Sequence, residues 1–412
     1  MNLEIPETPR RIVVVGGGHG GGAVVGFLRQ YGFAGTITLI GEEPVAPYHR
    51  PPLSKAWLKG DVTVDGLALK PGPFYSEQNV ELRLCVRVES IDPAARCVAL
   101  ATGERLPYDE LILATGAYPR TLPLPGAGHH NVMTLRNLAD AEKLRGALGP
   151  GKRLAIIGGG YVGLECAATA RALGAEVVVI EKAPRLLERV ASVPISAFLQ
   201  RYHERHGVGF ALAANIEAIE GTDRAEAVRL ADGRRFPCDA LLIGVGAAPA
   251  IALAAAAGIA CNDGITVDDD CRTSVPHVFA LGDVAKRPHP LYQRALRLES
   301  VPSSMEQAKR VAAVITGREP AHAEVPWFWS DQYDLKLQIA GLPFDADELV
   351  VRGDPEADKF AVFHLRDGRV VTVEAISAPP EFFAGKKLIA SGKVLTAAQL
   401  ADLAVPLTEL IA

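Results

Sequence analysis

Glycines at Gly16, Gly18 and Gly21, and again at Gly158, Gly160 and Gly163, give the spacing G-x-G-x-x-G twice in one chain. In this pattern the first glycine permits a tight turn, the second lets a pyrophosphate approach the backbone, and the third lets a helix close on a strand. The anion then rests at a helix N-terminus, where unpaired N–H groups face it. A carboxylate at the next strand end accepts hydrogen bonds from ribose hydroxyls and repels a 2′-phosphate. Glu42 stands 24 residues beyond Gly18 and Glu181 stands 21 beyond Gly160, close to the expected spacing of about 20. A ligand-free glycine turn is the plain alternative for either loop alone, but each has its strand, helix and acid. Two dinucleotide sites are what hydride transfer between a nicotinamide and a flavin requires, because the rings must meet while the adenosine ends bind apart. One loop is therefore read as an FAD site and the other as an NADH site. Glu181 argues for NADH over NADPH, with Lys182 next to it and Arg185 close by.

The elements that position these residues repeat. The first unit runs from the strand Ile12-Val13-Val14-Val15 through the glycine loop, a helix to about Tyr31 and a strand from Thr36 to Ile40. The second runs from Leu154-Ala155-Ile156-Ile157 through its loop, including Tyr161 and Val162, a helix to about Leu173 and a strand from Val177 to Ile180. Further strands are expected over 110–114, 240–245 (ending at Gly246) and 278–281, and strand ends of this kind place loops at a ligand crevice. From about Val325 the texture becomes alternating, at 335–339, 360–364 and 370–375, with a helical tail, which reads as an α+β domain. Residues 326–412 hold 8 Lys and Arg against 13 Asp and Glu, as acidic as the whole chain. The expected fold is α/β: two Rossmann-like domains, for FAD (1–117 with 247–324) and NAD (118–246), plus the C-terminal α+β domain (325–412).

Composition limits the alternatives. The chain has 412 residues, 49% of them hydrophobic and 22% charged, enough for full cores in two or three domains. A net charge of -5 is too mild and of the wrong sign for a general nucleic-acid binder. Cys85, Cys97, Cys166, Cys238, Cys261 and Cys271 show no C-x-x-C pair and no zinc spacing, so they read as reduced thiols, with no metal site expected. The uncharged run 240–260 meets the length of a membrane span, but Pro249 interrupts it, and it reads as a buried strand followed by a short helix. Acids and prolines at Glu4, Pro6, Glu7 and Pro9 do not suit a signal peptide. A cytoplasmic protein with no membrane segment is expected.

The stretch Pro47-Tyr48-His49-Arg50-Pro51-Pro52-Leu53-Ser54-Lys55, followed by Ala114-Thr115-Gly116, Thr134-Leu135-Arg136, Leu281-Gly282-Asp283-Val284, Leu298-Glu299-Ser300-Val301, Trp327-Phe328-Trp329-Ser330-Asp331-Gln332 and Gly385-Lys386-Lys387-Leu388-Ile389, resembles the NADH-dependent ferredoxin reductases of oxygenase systems. The likeness covers nearly the whole chain and implies a glutathione-reductase-type fold. It further implies FAD contacts from Glu42, Arg50, Lys55, Val86, Arg136, Asp283 and Val301, alongside the loop residues and Ala114, Thr115, Gly116 and Gly282. Arg50, Lys55 and Arg136 suit phosphates or a reduced, anionic flavin. Asp283 either accepts from ribityl hydroxyls or caps a helix. Lys55 and Glu165 look like the family's ion pair beside the reactive flavin nitrogen. Trp329 is similar to the family tryptophan beside the isoalloxazine, while Trp327 also suits core packing. The loop departs from the family in His19-Gly20-Gly21-Gly22, whose extra glycines weaken a helix start by roughly 1 kcal/mol each; His19 either touches the pyrophosphate or faces solvent.

The resemblance implies transfer of hydride from NADH to FAD and of single electrons to an acidic 2Fe-2S ferredoxin that feeds a haem monooxygenase, by a monomer or weak dimer. From Lys286 to Arg318 seven basic residues face only Glu299 and Glu306. Such a patch would steer an acidic partner, with Lys309 and Arg310 as docking candidates. Two alternatives stay open: the reductase component of a ring-hydroxylating dioxygenase, and an NADH-sensing flavoprotein resembling apoptosis-inducing factor. A disulfide reductase would need a redox cysteine that the Arg50–Lys55 stretch lacks.

Overall fold

The structure, a computed structural model, describes residues 11–411. It divides into two compact units. One takes the described residues up to Arg50 with Val64–Tyr118 and Ala248–Glu324; the other takes Pro51–Thr63, Pro119–Ala247 and the described residues from Val325 onward.

In the first unit five parallel strands lie in the order Val278–Ala280, Glu110–Leu113, Arg11–Val15, Thr36–Ile40, Val80–Arg83. Ile12 and Val14 pack on one face with Leu28, Phe279 and Val311, and Val13 and Val15 on the other with Tyr108, Leu111 and Leu113. A strand covered on both faces has no polar side, which is why this segment reads as an unbroken apolar run. The helices His19–Gln30 and Val301–Ile315 pack against each other.

The second unit repeats the plan. Its parallel order is Val208–Ala211, Glu176–Ile180, Arg153–Ile157, Ala240–Ile243, Val132–Met133. The helix Tyr161–Ala172 follows the loop. The repetition extends to an ion pair at the base of each central strand. Arg11 Nη2 meets Asp109 at 2.9 Å and Arg153 Nη2 meets Asp239 at 3.0 Å. The same unit holds an antiparallel sheet in the order Trp327–Gln332, Leu335–Gly341, Arg369–Ile376, Lys359–Arg366, Glu348–Asp354. The helix Pro379–Ser391 packs on it, burying Phe382 and Leu388 in the same core as Val373.

The run 240–260 divides into the strand Ala240–Ile243 and the helix Ala252–Ala256. Among the described residues no helix is long and apolar enough to cross a membrane. Reading the sequence missed the edge strand Glu348–Asp354 and two three-stranded antiparallel sheets, Val88–Asp92 with Cys97–Leu100 and Arg105–Pro107, and Ile216–Glu220 with Ala227–Leu230 and Arg235–Pro237.

Candidate functional site

The two glycine loops have the same steric logic. A Cβ on Gly16 would stand 2.2 Å from the Ala114 carbonyl oxygen, and one on Gly158 2.5 Å from that of Gly244. Both residues also have positive φ, +120° and +110°. A Cβ on Gly21 would meet the Gly16 carbonyl oxygen at 2.0 Å, and one on Gly163 that of Gly158 at 2.4 Å. The middle glycines differ: Gly160 has nothing within 4 Å, and Gly18 has only the Arg50 guanidinium at 3.8 Å. The first and third glycines are thus closed by protein, while the second opens onto free space. Gly18 and Gly160 are also the N-caps of their helices and provide no side-chain cap, so the first-turn N–H groups are left for an incoming anion. Residues of this kind fit the pyrophosphate of a dinucleotide in both units.

The glycine excess after His19 has a physical reason. A Cβ on Gly20 would lie 2.6 Å from Leu281 Cδ1 and one on Gly22 2.5 Å from Pro47 Cβ, so the helix start gives up propensity for close packing. His19 has a buried Nδ1 with no hydrogen-bond partner among the described residues. Burial first, and then His49, lower its pKa from 6.5 to about 4. A neutral ring with an unsatisfied nitrogen beside an uncapped helix start suits contact with a bound nucleotide better than a solvent-facing position.

The other first-unit candidates surround this loop. Ala114 N–H donates to the Val15 carbonyl, Val86 N–H donates to Gly41 O at 3.0 Å, and Thr115 Oγ1 donates to Ala250 O at 3.0 Å. Gly116 and Gly282 take positive φ. Gly282 N–H donates to Gln307 Oε1 at 2.9 Å, fixing the turn that carries Asp283; Asp283 is not a helix cap. Val301 opens its helix behind the N-cap Ser300. Two charges differ from expectation. Glu42 is paired with exposed Arg87 at 3.1 Å. Arg50 has a partner the sequence did not suggest: its Nη2 lies 2.5 Å from Glu43 Oε1 and its guanidinium covers the Tyr48 ring.

In the second unit Glu181 is fixed by its own loop. Its Oε2 accepts from Gly159 N–H at 2.6 Å and its Oε1 from Ala183 N–H at 2.8 Å. Arg185, the nearby cation, bonds Glu188 and the Ala191 carbonyl, which leaves exposed Lys182 as the only basic neighbour not so engaged among the described residues from 181 to 185. Tyr161 donates to Val190 O at 3.2 Å and packs edge-on to Phe328, whereas Val162 is exposed. Gly246, with φ +100°, has open space where a Cβ would stand. Arg136 lies just before the N-cap Asn137, its N–H donating to Asp140 Oδ2 at 2.9 Å.

Lys55 and Glu165, both in this unit, form the buried ion pair expected from the resemblance. Lys55 Nζ and Ser54 Oγ each donate to Glu165 Oε2 at 2.6 Å, and Ser330 Oγ donates to Oε1 at 2.7 Å. Glu165 is 5% exposed. Three donors compensate for the solvation it has lost, and removing one partner from such a buried charge typically costs 3–5 kcal/mol. Neighbouring Cys166 is fully buried, and burial together with Glu165 pushes its thiol well up, which keeps it inert as a redox nucleophile. Trp327 packs on Phe382 and under Lys386; Trp329, also half-buried, lies 5.7 Å from the Trp327 ring. Ser54 and Ser330 were not anticipated, and only their place within the family-like stretches hinted at them.

The basic stretch from Lys286 to Arg318 requires correction. Arg287 is buried on Glu306 at 2.9 Å, Arg297 pairs with Glu299, and Arg310 reaches both Glu306 and Asp270. The Arg310 side chain is only 12% exposed. Arg310 is therefore an internal counter-ion and not a free docking cation, while Lys309 is exposed.

Residues 10–308 match the family described as pyridine nucleotide-disulphide oxidoreductase, and residues 327–411 match the reductase C-terminal domain. The chain is 48% identical over 402 residues to a probable ferredoxin reductase of Castellaniella defragrans, covering 97% of this chain and 98% of the relative. The solved covalent putidaredoxin reductase–putidaredoxin complex superposes with a TM-score of 0.95 at 39% identity, covering 98% of both chains. The ferredoxin reductase for the CYP199A2 system from Rhodopseudomonas palustris does so with a TM-score of 0.94 at 39% identity, covering 98% of this chain and 100% of that one. This chain belongs to the pyridine nucleotide-disulphide oxidoreductase family.

Proposed function

We propose that the chain is an NADH:ferredoxin oxidoreductase with FAD as its resident cofactor. The observation that carries this reading is the pair of sterically matched dinucleotide loops, in a chain similar over 97% of its length to a probable ferredoxin reductase. In the division of labour we infer, residues 1–117 with 247–324 hold FAD, residues 118–246 take NADH, and residues 325–412 form the third domain. FAD, when bound, supplies the conversion of a two-electron donor into one-electron steps.

The chain's own residues bind, orient and set charge. The Gly16–Gly21 loop and its helix start take the FAD pyrophosphate, helped by His19. The Gly158–Gly163 loop takes the NADH pyrophosphate, and Glu181, its oxygens already aimed by two backbone N–H groups, accepts from the adenosine ribose. Lys55 and Glu165 present a fixed charge pair to the nicotinamide end of the second site. From the resemblance we also assign FAD contacts to Glu42, Val86, Asp283 and Val301, and to Lys55, Arg136 and Trp329.

The acceptor we propose is an acidic 2Fe-2S ferredoxin, supported by the likeness to a putidaredoxin reductase solved with putidaredoxin. The downstream oxygenase is read as a haem monooxygenase, on the support of the relative that serves the CYP199A2 system. A cytoplasmic location goes with this reading. The test is NADH-driven reduction of a panel of 2Fe-2S ferredoxins by the purified holoprotein, with NADPH as the control donor. At least one ferredoxin is expected to be reduced far faster than by free FAD; if none is, the proposal fails.

A further inference from the structure

The strand Trp327–Gln332 alternates, with Trp327, Trp329 and Asp331 half-buried and Ser330 and Gln332 buried. The buried pair belongs to a polar line that continues beyond Glu165. Ser330 Oγ donates to Glu165 Oε1 at 2.7 Å, Gln332 Nε2 donates to Ser330 Oγ at 3.1 Å, and Gln332 Oε1 lies 2.7 Å from His203 Nε2. His203 Nδ1 in turn faces the Tyr333 hydroxyl at 3.4 Å. Ser330, Gln332 and His203 are 0%, 2% and 0% exposed. They come from residues 129 and 127 positions apart in sequence, on a helix and a strand of the same unit.

The direction of every donor in this line follows from its end. A carboxylate only accepts, so Ser330 gives its single hydroxyl hydrogen to Glu165. Its oxygen must then accept from the Gln332 amide N–H, which turns the Gln332 carbonyl toward His203. That carbonyl can only accept, so His203 carries its proton on Nε2, and Nδ1 is left to accept from Tyr333. Burial lowers the His203 imidazole to about 4, with His206 adding to the shift, consistent with a neutral ring in this tautomer. A carboxamide passes no proton without changing its bonding, so the line orients charge instead of conducting protons.

We propose that His203, Gln332 and Ser330 are positioning residues for hydride transfer: a buried, one-way chain of donors that fixes Glu165 and, through it, the Lys55 ammonium. The chain acts on the reacting rings only through Lys55 and Glu165, so the inference rests on the proposed function. It differs from core packing in requiring a hydroxyl at position 330 and an N–H donor at position 203, not merely volume.

Two measurements on the holoprotein test it. In 15N-histidine-labelled protein, long-range nitrogen–proton spectra are expected to show His203 protonated on Nε2 and bare on Nδ1 at neutral pH; the opposite tautomer overturns the proposal without reference to activity. In single-turnover reduction of bound FAD by NADH, Ser330→Ala and Gln332→Leu are expected to slow the limiting rate about tenfold or more while the apparent Kd for NADH stays within about twofold, the size of a lost hydrogen bond to a charged group. Ser330→Thr, which keeps the hydroxyl, restores the rate. If Ser330→Thr is as slow as Ser330→Ala, the chain is packing only and the proposal is wrong. Glu165→Gln separates the two levels. A slow Glu165→Gln beside a normal Ser330→Ala refutes the chain alone, whereas a normal Glu165→Gln removes the role assigned to the ion pair and the chain with it.

Discussion

Glu181 offers the sharpest test of nucleotide choice. Its carboxylate is held on the loop by Gly159 and Ala183 N–H groups, so the negative charge is placed before any nucleotide arrives. A ribose hydroxyl donating to a charged acceptor contributes about 1.5–3 kcal/mol. A 2′-phosphate charge about 5 Å away, at an effective dielectric of about 20, is opposed by about 3 kcal/mol. With tenfold per 1.4 kcal/mol, Glu181→Ala should lower kcat/KM for NADH about 10- to 100-fold while relieving NADPH of a penalty of about 100-fold. The variant also strips partners from two backbone N–H groups and loosens the loop, but that harm falls on both nucleotides. The ratio of kcat/KM for NADH to that for NADPH, measured by ferricyanide reduction, isolates the charge. Glu181→Gln, which keeps the volume, should shift the ratio in the same direction. A ratio within about threefold of the parent in both variants would show that the carboxylate does not read the ribose.

Exposed Lys309 and engaged Arg310 should part company on substitution. Lys309→Glu is expected to slow ferredoxin reduction, more at low salt than at high, and to spare NADH–ferricyanide turnover; equal loss in both assays removes the docking role. Arg310→Glu should instead lower the melting temperature, because it places a third carboxylate against Glu306 and Asp270. Gly22→Ala should cost about 1–3 kcal/mol through its clash with Pro47, seen as easier loss of FAD on dilution and a lower melting point. His203 takes up a proton near 6.5 when unfolded but near 4 when folded, so the unfolded state binds more protons in that window. Stability should fall as pH drops from about 6.5 to about 4, by up to about 3 kcal/mol from this residue. In His203→Gln that part of the pH dependence of the melting temperature should vanish; an unchanged slope refutes the assignment.

The features legible in the sequence are those set by near neighbours. The glycine loops, their strands and their helices follow from spacing, because Gly21 and Gly163 answer to the Gly16 and Gly158 carbonyls of their own βαβ units and Gly16 and Gly158 take positive φ in their own turns. The tryptophan alternation likewise survives as one face of a strand. What stayed hidden depends on distant partners. Glu165 meets Ser330 across 165 positions and His203 meets Gln332 across 129, separations at which no local pattern operates. The basic stretch was over-read for the same reason: counting charges along the chain cannot show that Arg287 and Arg310 share Glu306. The two three-stranded sheets escaped because their strands run only three to five residues, too short for an alternation to stand out, and Arg105–Pro107 and Arg235–Pro237 bury no residue fully.

Neither compact unit is continuous in sequence: the chain passes between them at 50/51, 63/64, 118/119, 247/248 and 324/325. During synthesis the strand Glu110–Leu113 must wait for its sheet neighbour Val278–Ala280, and the second unit is incomplete until the last helices are made. Assembly is therefore governed by long-range closure, which is slow and leaves apolar strands unpaired in the meantime. No cut at a single peptide bond separates the units, so removing the chain beyond Glu324 would also leave the Lys55 and Glu165 half without its antiparallel sheet. Dissection of this protein by truncation should yield aggregation where substitution yields measurable function.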